Sequence, residues 1–261
     1  RLVHEVNKVI YNDGGRPANY YVTDICDGEA QGHDGMNYSL VSRDIMAAMI
    51  EIHVKATPFD AGVFLTSCDK SVPAHLMAIA RLNMPAVFMP GGIMKSGPDL
   101  LTLEQIGKYS AMFERGEITE EKFMEYKRNA CPACGACSFM GTASTMQVMA
   151  EALGLALPGS ALIPTHIGEL EKATREAGRC AIKLAYNPIT PAEILTEKAF
   201  ENAIMVHAAI AGSSNSLLHL PAIAHEVGIT LSPELFDRLS YWEQMHHTIH
   251  PPSLWSAPPG F

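Results

Sequence analysis

The first hundred residues alternate between two hydrophobic patterns, one typical of helices and one typical of buried strands. Helical spacing covers three segments, Val3 to Tyr11, Leu40 to Ala56 and Pro73 to Leu82. Short apolar runs that predict strands cover Tyr20 to Ile25, Ala61 to Thr66 and Pro85 to Met89. Because strands that alternate with helices pair in parallel through crossover connections, this half of the chain predicts a parallel sheet.

From Thr102 onward the pattern is mostly helical. The predicted helices are Leu103 to Arg115, Glu120 to Asn129, Ser144 to Leu155, Glu169 to Tyr186, Pro191 to Ala211, Leu217 to Val227 and Pro233 to Met245. These helices are expected to cover both faces of the sheet. The predicted fold class is therefore α/β, with a mostly parallel sheet flanked by helices on both faces and a helix-rich second half.

Composition favours a folded domain and disfavours several classes of partner. The 261 residues are 48% hydrophobic and 18% charged, which is ample apolar material for a core. A net charge of −9 argues against binding nucleic acid or an anionic membrane through bulk electrostatics. The longest uncharged stretch, Asn202 to His225, is interrupted by polar residues and Pro221, so no membrane span is predicted there.

The six cysteines are too few and too clustered for a disulfide framework in a domain of this size. Cys131, Cys134 and Cys137 have the two-residue gaps of iron-sulfur loops, although the usual fourth cysteine followed by proline is missing. Zinc is a competing occupant, and unligated buried thiols are a further alternative. The pattern favours metal binding in a reducing cytosol, which predicts a cytoplasmic protein.

The sharpest candidate site is the run Cys68, Asp69 and Lys70, between a predicted buried strand and the start of a helix. Open α/β sheets bind ligands at the carboxyl ends of strands, facing helix N-termini. Cys68 offers a thiolate to a soft metal, Asp69 an oxygen to a hard cation, and Lys70 a positive charge or, if modified, another oxygen. The alternative is a capping turn in which Asp69 stabilises the helix dipole and Cys68 is merely buried.

Two further polar segments are candidates. Asp27 lies in a run of carboxylates and glycines after the predicted strand Tyr20 to Ile25, which suits a divalent cation or a plain turn. Ser213, Ser214 and Asn215 precede a predicted helix, where they present hydroxyls and amides to an anion or act as a polar N-cap.

The sequence resembles the family of dihydroxy-acid dehydratase and phosphogluconate dehydratase, which also contains the sugar-acid (aldonate) dehydratases. The resemblance covers nearly all of Val3 to Asp237 and is most specific at Cys68 to Ala78. The other matching segments are Gly35 to Arg43, Cys131 to Met146, Ala199 to Ala203 and Gly212 to Leu220.

The resemblance implies an iron-sulfur cluster, either 2Fe-2S or 4Fe-4S, with Cys68 and Cys137 as two of its three cysteine ligands. It also implies a magnesium ion bound by Asp27, by Asp69 and by a carbamylated Lys70, which gives Lys70 a catalytic role. The third cluster cysteine is expected just upstream of Arg1, unless Cys26, Cys131 or Cys134 takes its place.

The resemblance also divides the chain and leaves part of the family's catalytic machinery outside it. Residues 1–240 are expected to form the cluster- and metal-binding domain, and residues 241–261 an irregular tail or linker in which His246, His247 and His250 are solvated. The family's C-terminal β-barrel-like domain, which supplies a serine base and a glutamate ligand, has a threonine-aspartate-glycine-arginine signature that is not found here.

The expected function is that of a hydro-lyase converting a 2,3-dihydroxy carboxylate to a 2-keto acid. Dihydroxyisovalerate, of branched-chain amino-acid biosynthesis, and aldonates, of sugar-acid metabolism, both stay open as substrates. The alternative is a truncated, catalytically incomplete metal-binding domain. The expected partners are the small substrate and further copies of the chain, as a dimer or tetramer, with no nucleic acid and no membrane.

Overall fold

Two short parallel strands carry the first half of the fold. In the computed structural model, which describes residues 1–246 and side chains through Ser240, strand β1 (Gly62–Thr66) pairs with strand β2 (Ala86–Pro90). Phe64 lies opposite Phe88 in the register. A helix connects the two strands, as parallel pairing requires.

Twelve α-helices lie within the described residues. In chain order they are α1 (Leu2–Asn12), α2 (Asp27–Ala30), α3 (Ser39–Lys55), α4 (Ser71–Leu82), α5 (Ile106–Glu114), α6 (Glu120–Asn129), α7 (Thr142–Ala152), α8 (Gly168–Tyr186), α9 (Pro191–Ile194), α10 (Glu197–Ala209), α11 (Ser216–Glu226) and α12 (Pro233–His246). Short 3-10 turns cover Asp34–Tyr38, Pro98–Leu100 and Leu103–Gln105. None of these helices has both the length and the hydropathy needed to cross a membrane.

Different helices cover the two faces of the sheet. Phe64 and Phe88 pack into the larger hydrophobic cluster, which also contains side chains of α4 and α7. Val87 and Met89 pack on the opposite face with Leu170 of α8. Because the strands are buried on both sides, their sequences are continuous apolar runs. The predicted α/β class is confirmed, with two paired strands in the part of the chain that the structure describes.

Helix α4 lies at the centre of the molecule. Residues Ser71 to Ala80 are all buried, and the helix contacts α3, α7, α11 and both strands. It ends at Asn83, which takes a left-handed conformation with φ 49°. The first turn of α4 is therefore fixed by packing on all sides, and it carries the residues just before it into a defined position.

The predicted strand Tyr20 to Ile25 is wrong. This segment has no regular structure, and Tyr20 and Tyr21 are exposed. The ring of Tyr20 stacks on His53 at 4.9 Å between centroids, and its hydroxyl lies 2.9 Å from Thr57 Oγ1. Tyr20 thus packs against the end of α3, whereas Tyr21 is exposed, and neither residue takes part in sheet pairing.

The predicted helix Pro191 to Ala211 is divided in two. Thr196 caps a new helix, α10, by accepting a hydrogen bond from Ala199 N at 3.3 Å, so α9 ends before it. The other predicted helices are confirmed to within a few residues. Helix α12 continues to His246, while His247 and His250 lie outside the described residues.

An ion-pair cluster joins three helices of the core. Arg81 of α4 binds Glu226 of α11 through two nitrogens, at 2.9 and 2.6 Å, and binds Glu51 of α3 at 3.1 Å. We expect Arg81→Met to lower the free energy of unfolding by about 1–3 kcal/mol, because a bidentate charged interaction in a partly buried place is lost. Urea denaturation of both proteins measures this difference.

Arg115→Met is the matched control. Arg115 pairs with Glu117, but its side chain is 59% exposed, and exposed pairs contribute little. If the two substitutions lower the free energy of unfolding equally, the Arg81 cluster does not stabilise the packing of α3, α4 and α11.

Candidate active site

The loop between β1 and α4 presents three chemically different side chains at the carboxyl end of a buried strand. Cys68, Asp69 and Lys70 follow β1 directly and precede the first turn of α4. Ser71 fixes the loop, because its hydroxyl oxygen accepts hydrogen bonds from Thr66 Oγ1 at 2.7 Å and from Cys68 N at 3.2 Å. The loop conformation is therefore set by the buried start of α4.

A buried lysine joins two carboxylates from separate parts of the chain. Lys70 is 5% exposed, and its Nζ donates to Asp27 Oδ2 at 2.8 Å and to Asp69 Oδ1. Ser39 Oγ lies 2.7 Å from both carboxylate oxygens of Asp27. The side chain of Thr142 lies close enough to Asp69 to work against the burial that raises the pKa of this carboxyl group. These five residues form one polar network, which we call the lysine network.

The lysine network holds opposite charges where solvent screening is weak. Burial works to lower the pKa of Lys70, but its hydrogen bonds to Asp27 and Asp69 outweigh burial and raise the pKa above its usual value. Lys70 is therefore an ammonium group in this structure. Removing Lys70 or one of the two carboxylates would leave a charge without its compensating partner, which would lower the free energy of unfolding.

Four helices begin at the lysine network. Ser39 is the first residue of α3, Lys70 directly precedes α4, Thr142 is the first residue of α7, and Asn215 directly precedes α11. Asn215 Nδ2 donates to Thr142 Oγ1 at 2.7 Å. Because each helix N-terminus carries partial positive charge and unpaired backbone N–H groups, their convergence favours a bound anion.

The segment Ser213 to Asn215, which precedes α11, contacts the lysine network through some of its residues. Ser213 Oγ lies 3.2 Å from Thr142 Oγ1, and Ser213 N donates to Thr145 Oγ1 at 3.0 Å. Ser214 is exposed, and its carbonyl accepts from Leu217 N in the first turn of α11. The structure thus brings Ser213 and Asn215 to the lysine network and gives Ser214 a role in helix capping.

The cysteine-rich loop lies against the segment that follows β2. Ala136 N donates to Gly92 O at 2.9 Å, and Met94 N donates to Ala136 O at 2.8 Å. Gly135 has a φ of 118°, and a Cβ there would lie 2.8 Å from Met94 N. Only glycine allows the backbone at position 135 to approach Met94 this closely. Gly135 therefore helps to set the backbone path that leads to Cys137.

The thiols differ in exposure. Cys68 and Cys137 are half-buried, whereas Cys26, Cys131 and Cys134 are exposed. Burial raises the pKa of Cys68 to about 12 and also raises the pKa of Cys137, and the charge of Cys26 contributes to both shifts. Cys26 therefore lies within electrostatic range of both. Among the described residues, no three Cys, His, Asp or Glu side chains are close enough together to hold a metal ion.

A protein-family model, dihydroxy-acid/6-phosphogluconate dehydratase N-terminal, matches residues 1–254. The chain belongs to this family. Similar proteins include the dihydroxy-acid dehydratases of Moorella thermoacetica and Caldanaerobacter subterraneus, each 44% identical over 92% of this chain. Dihydroxy-acid dehydratase 1 of Methanosarcina acetivorans is 42% identical over 92% of the chain. Each alignment covers 44% of the relative, so the chain spans less than half the length of these proteins.

Membership of the dehydratase family confirms the resemblance seen in the sequence. The structure brings together Asp27, Asp69 and Lys70, which the resemblance groups as magnesium ligands, although their role as ligands stays a prediction. Asp27 begins the short helix α2 instead of following a strand, because the segment before it does not join the sheet. The assignments of Cys68 and Cys137 to a cluster, and of a third thiol, also stay predictions.

Several residues of this dehydratase-family site were not singled out from the sequence. Ser39 donates to Asp27, Thr142 lies close to Asp69, and both residues lie in segments that carry the family resemblance. Arg43 and His219 form a partly buried contact at 3.2 Å between Nη1 and Nδ1. Ser39 and Thr142 could have been identified as candidates because each lies near the start of a predicted helix. For Arg43 and His219, which are 176 residues apart, there was no local signal.

The lysine network predicts a pH-dependent defect in Lys70→Met. Without the ammonium group, two partly buried carboxylates face each other, and we expect a loss of up to about 3 kcal/mol in the free energy of unfolding near neutral pH. Burial already raises the pKa of Asp69, so the folded variant takes up a proton more readily than the unfolded chain does. The loss should therefore shrink as the pH falls from about 8 to about 5. Denaturant unfolding with a metal chelator present measures it.

Two companion variants make this test specific. Adding Asp69→Asn to Lys70→Met should recover stability at high pH, since one of the two unpaired charges is removed. Lys55→Met, whose lysine pairs with Glu51 and is 61% exposed, should have little effect at any pH. A loss in Lys70→Met that does not depend on pH would contradict the charge argument.

Proposed function

We propose that this protein is a hydro-lyase that dehydrates a 2,3-dihydroxy carboxylate to a 2-keto acid. The observation that carries the proposal is the buried lysine network at the N-termini of α3, α4, α7 and α11. It offers carboxylate oxygens to a cation and positive helix ends to an anion in the same place. The names of the similar proteins, dihydroxy-acid dehydratases, support the same reaction class.

The residues of the lysine network fit a magnesium ion in their chemistry. Asp27 and Asp69 each direct a carboxylate oxygen at the same positively charged atom, Lys70 Nζ. Hard oxygen donors of this kind suit Mg²⁺, and a carbamylated Lys70 would supply a third acidic group. Ser39 holds Asp27 in position through a hydrogen bond, so it would act as a supporting residue for the ion.

For the iron-sulfur cluster we propose Cys68 and Cys137 as ligands. Their half-buried thiols offer soft donors, which suit iron-sulfur chemistry. The third ligand is Cys26, Cys131 or Cys134, or a cysteine outside this chain.

In this reaction the bond between C2 and its hydrogen and the bond between C3 and its hydroxyl break, water leaves, and the resulting enol becomes the 2-keto acid. When bound, the cation and the cluster supply electrostatic stabilisation, the first for negative charge on the substrate carboxylate and the second for the departing hydroxyl. The chain's own part is to bind and orient the anion, through the helix N-termini and the polar side chains of Ser213 and Asn215.

Both substrate classes, dihydroxyisovalerate and the aldonates, stay open. Recognition of the rest of the substrate depends on residues beyond the lysine network. The cytoplasmic location and the homo-oligomer, a dimer or tetramer without nucleic acid or membrane partners, stay predictions from the sequence.

The direct test is release of a 2-keto acid from a panel of dihydroxy acids by the full-length protein, purified anaerobically and supplied with Mg²⁺. We expect turnover of at least one acid, and we expect Lys70→Arg to lower kcat by at least about 100-fold, because Arg keeps the positive charge of the unmodified lysine but cannot form the carbamate. Lys172→Arg, on α8, is the control and should be fully active. Failure of the wild type on every acid would refute the dehydratase proposal.

The cluster proposal has its own measurement, which is iron and sulfide content with the visible absorption spectrum. Cys68→Ser and Cys137→Ser should each abolish cluster binding, since a serine hydroxyl is a poor substitute for a thiolate. Cys180→Ser, a half-buried cysteine on α8, is the control and should retain the cluster. Single Ser variants at Cys26, Cys131 and Cys134 identify the third ligand. Wild-type protein without iron would refute the proposal.

A further inference from the structure

His219 lies in the first turns of α11 and is completely buried. Its Nδ1 lies 3.2 Å from Arg43 Nη1. A guanidinium group can only donate hydrogen bonds, so Nδ1 must accept this one. The ring proton of a neutral His219 is therefore on Nε2, and Arg43 fixes this tautomer.

The Nε2–H group of His219 has no hydrogen-bond partner among the described residues, although it is shielded from solvent. Leaving a buried donor unpaired is unfavourable, so such a group in a folded protein calls for an explanation. His219 also lies within electrostatic range of Lys70 and Asp27. His219 therefore lies in the same region of the molecule as the lysine network.

The position of α11 places the histidine on the same side. Asn215, at the start of this helix, donates to Thr142 Oγ1, and the side chain of Thr142 lies close to Asp69. His219 follows one helical turn later. Burial, together with the positive charges of Arg43 and Lys70, lowers the pKa of His219 to about 3 against the opposing effect of Asp27. The ring is neutral at neutral pH, which makes it a hydrogen-bond donor and not a proton shuttle.

We propose that His219 is a substrate-binding residue of this site, donating its Nε2–H to an oxygen of the small hydroxylated carboxylate bound beside Lys70 and Asp27. This inference rests on the proposed function. Arg43 acts as a positioning residue, because it contacts His219 and sets which nitrogen carries the proton.

Two substitutions of His219 distinguish the role of Nδ1 from the role of Nε2. The Asn side chain reaches about as far as Nδ1, so His219→Asn keeps an acceptor for Arg43 but loses the Nε2 donor. The Gln side chain reaches about as far as Nε2, so His219→Gln restores an N–H donor there. His225→Asn is the matched control, since His225 is an exposed histidine near the end of the same helix.

The measurement uses the full-length protein with Mg²⁺. We measure KM for the best dihydroxy acid and the dissociation constants of lactate and 3-hydroxypropionate. Each of these two acids carries a single hydroxyl group, at C2 and at C3 respectively, so neither is a 2,3-dihydroxy acid. We expect His219→Asn to raise KM and at least one dissociation constant about tenfold, as for the loss of one hydrogen bond. His219→Gln should stay within about threefold of the wild type, and His225→Asn should not differ from it. If His219→Asn weakens binding of 3-hydroxypropionate alone, His219 binds the 3-hydroxyl group. If it weakens binding of both acids, His219 binds the carboxylate.

The outcomes that overturn the proposal are distinct from failure of the dehydratase function. If the wild type turns over a dihydroxy acid and His219→Asn has unchanged KM and dissociation constants, only the His219 proposal is wrong. Equal losses in His219→Asn and His219→Gln indicate a packing role and also overturn it. If the wild type neither turns over nor binds any acid, the proposed function fails and the His219 proposal fails with it. Thermal unfolding identifies a variant that does not fold, in which case His219→Met replaces Asn in the comparison with Gln.

Discussion

The rest of the candidate site depends on one protonated lysine held between two carboxylates. Lys70 directly precedes α4, where the positive end of the helix dipole disfavours another positive charge, and it is also buried. Both effects oppose an ammonium group at this position, and Asp27 and Asp69 offset them. A buried ion pair of this kind is seldom the most stable choice, since apolar side chains of similar size often replace it without loss. Its presence at a strand end is better explained by chemistry than by stability.

The packing around α4 gives this charged group a rigid support. The helix is buried from Ser71 to Ala80 and its first turn is bonded to the loop through Ser71, so the loop cannot move independently of the core. The cysteine-rich side is different, because Cys131 and Cys134 are exposed and the loop is held by backbone bonds near Gly135. The core of this chain thus organises the loop that carries Cys68, Asp69 and Lys70, whereas Cys131 and Cys134 lie at its surface.

The parts of this structure that could be predicted from the sequence are those set by local pattern. Strands β1 and β2 and helix α4 follow from apolar runs and helical spacing, and the loop between β1 and α4 follows from their order. The segment Tyr20 to Ile25 was mispredicted because aromatic residues that pack on a helix resemble those of a strand. Asp27 was a candidate from its run of carboxylates and glycines, and the resemblance grouped it with Lys70, but the contact between them, 43 residues apart, is tertiary. No periodicity encodes such a contact.

Two buried histidines differ in whether the surrounding protein satisfies their hydrogen bonds. This difference distinguishes a histidine explained by core packing from one that suits a ligand. His75 of α4 bonds to Ser71 O at 2.7 Å, and its ring meets Phe64 edge-on, so its surroundings account for it within the core. His219 is equally buried, but Arg43 occupies Nδ1 and the opposite nitrogen has no acceptor among the described residues. In sequence the two are alike, since each is a histidine among apolar residues of a helix. The difference arises from Arg43, which comes from α3 and fixes the proton on the side of the ring that has no partner within the described chain. A donor fixed in this way beside a charged network is suited to a ligand that supplies the missing acceptor.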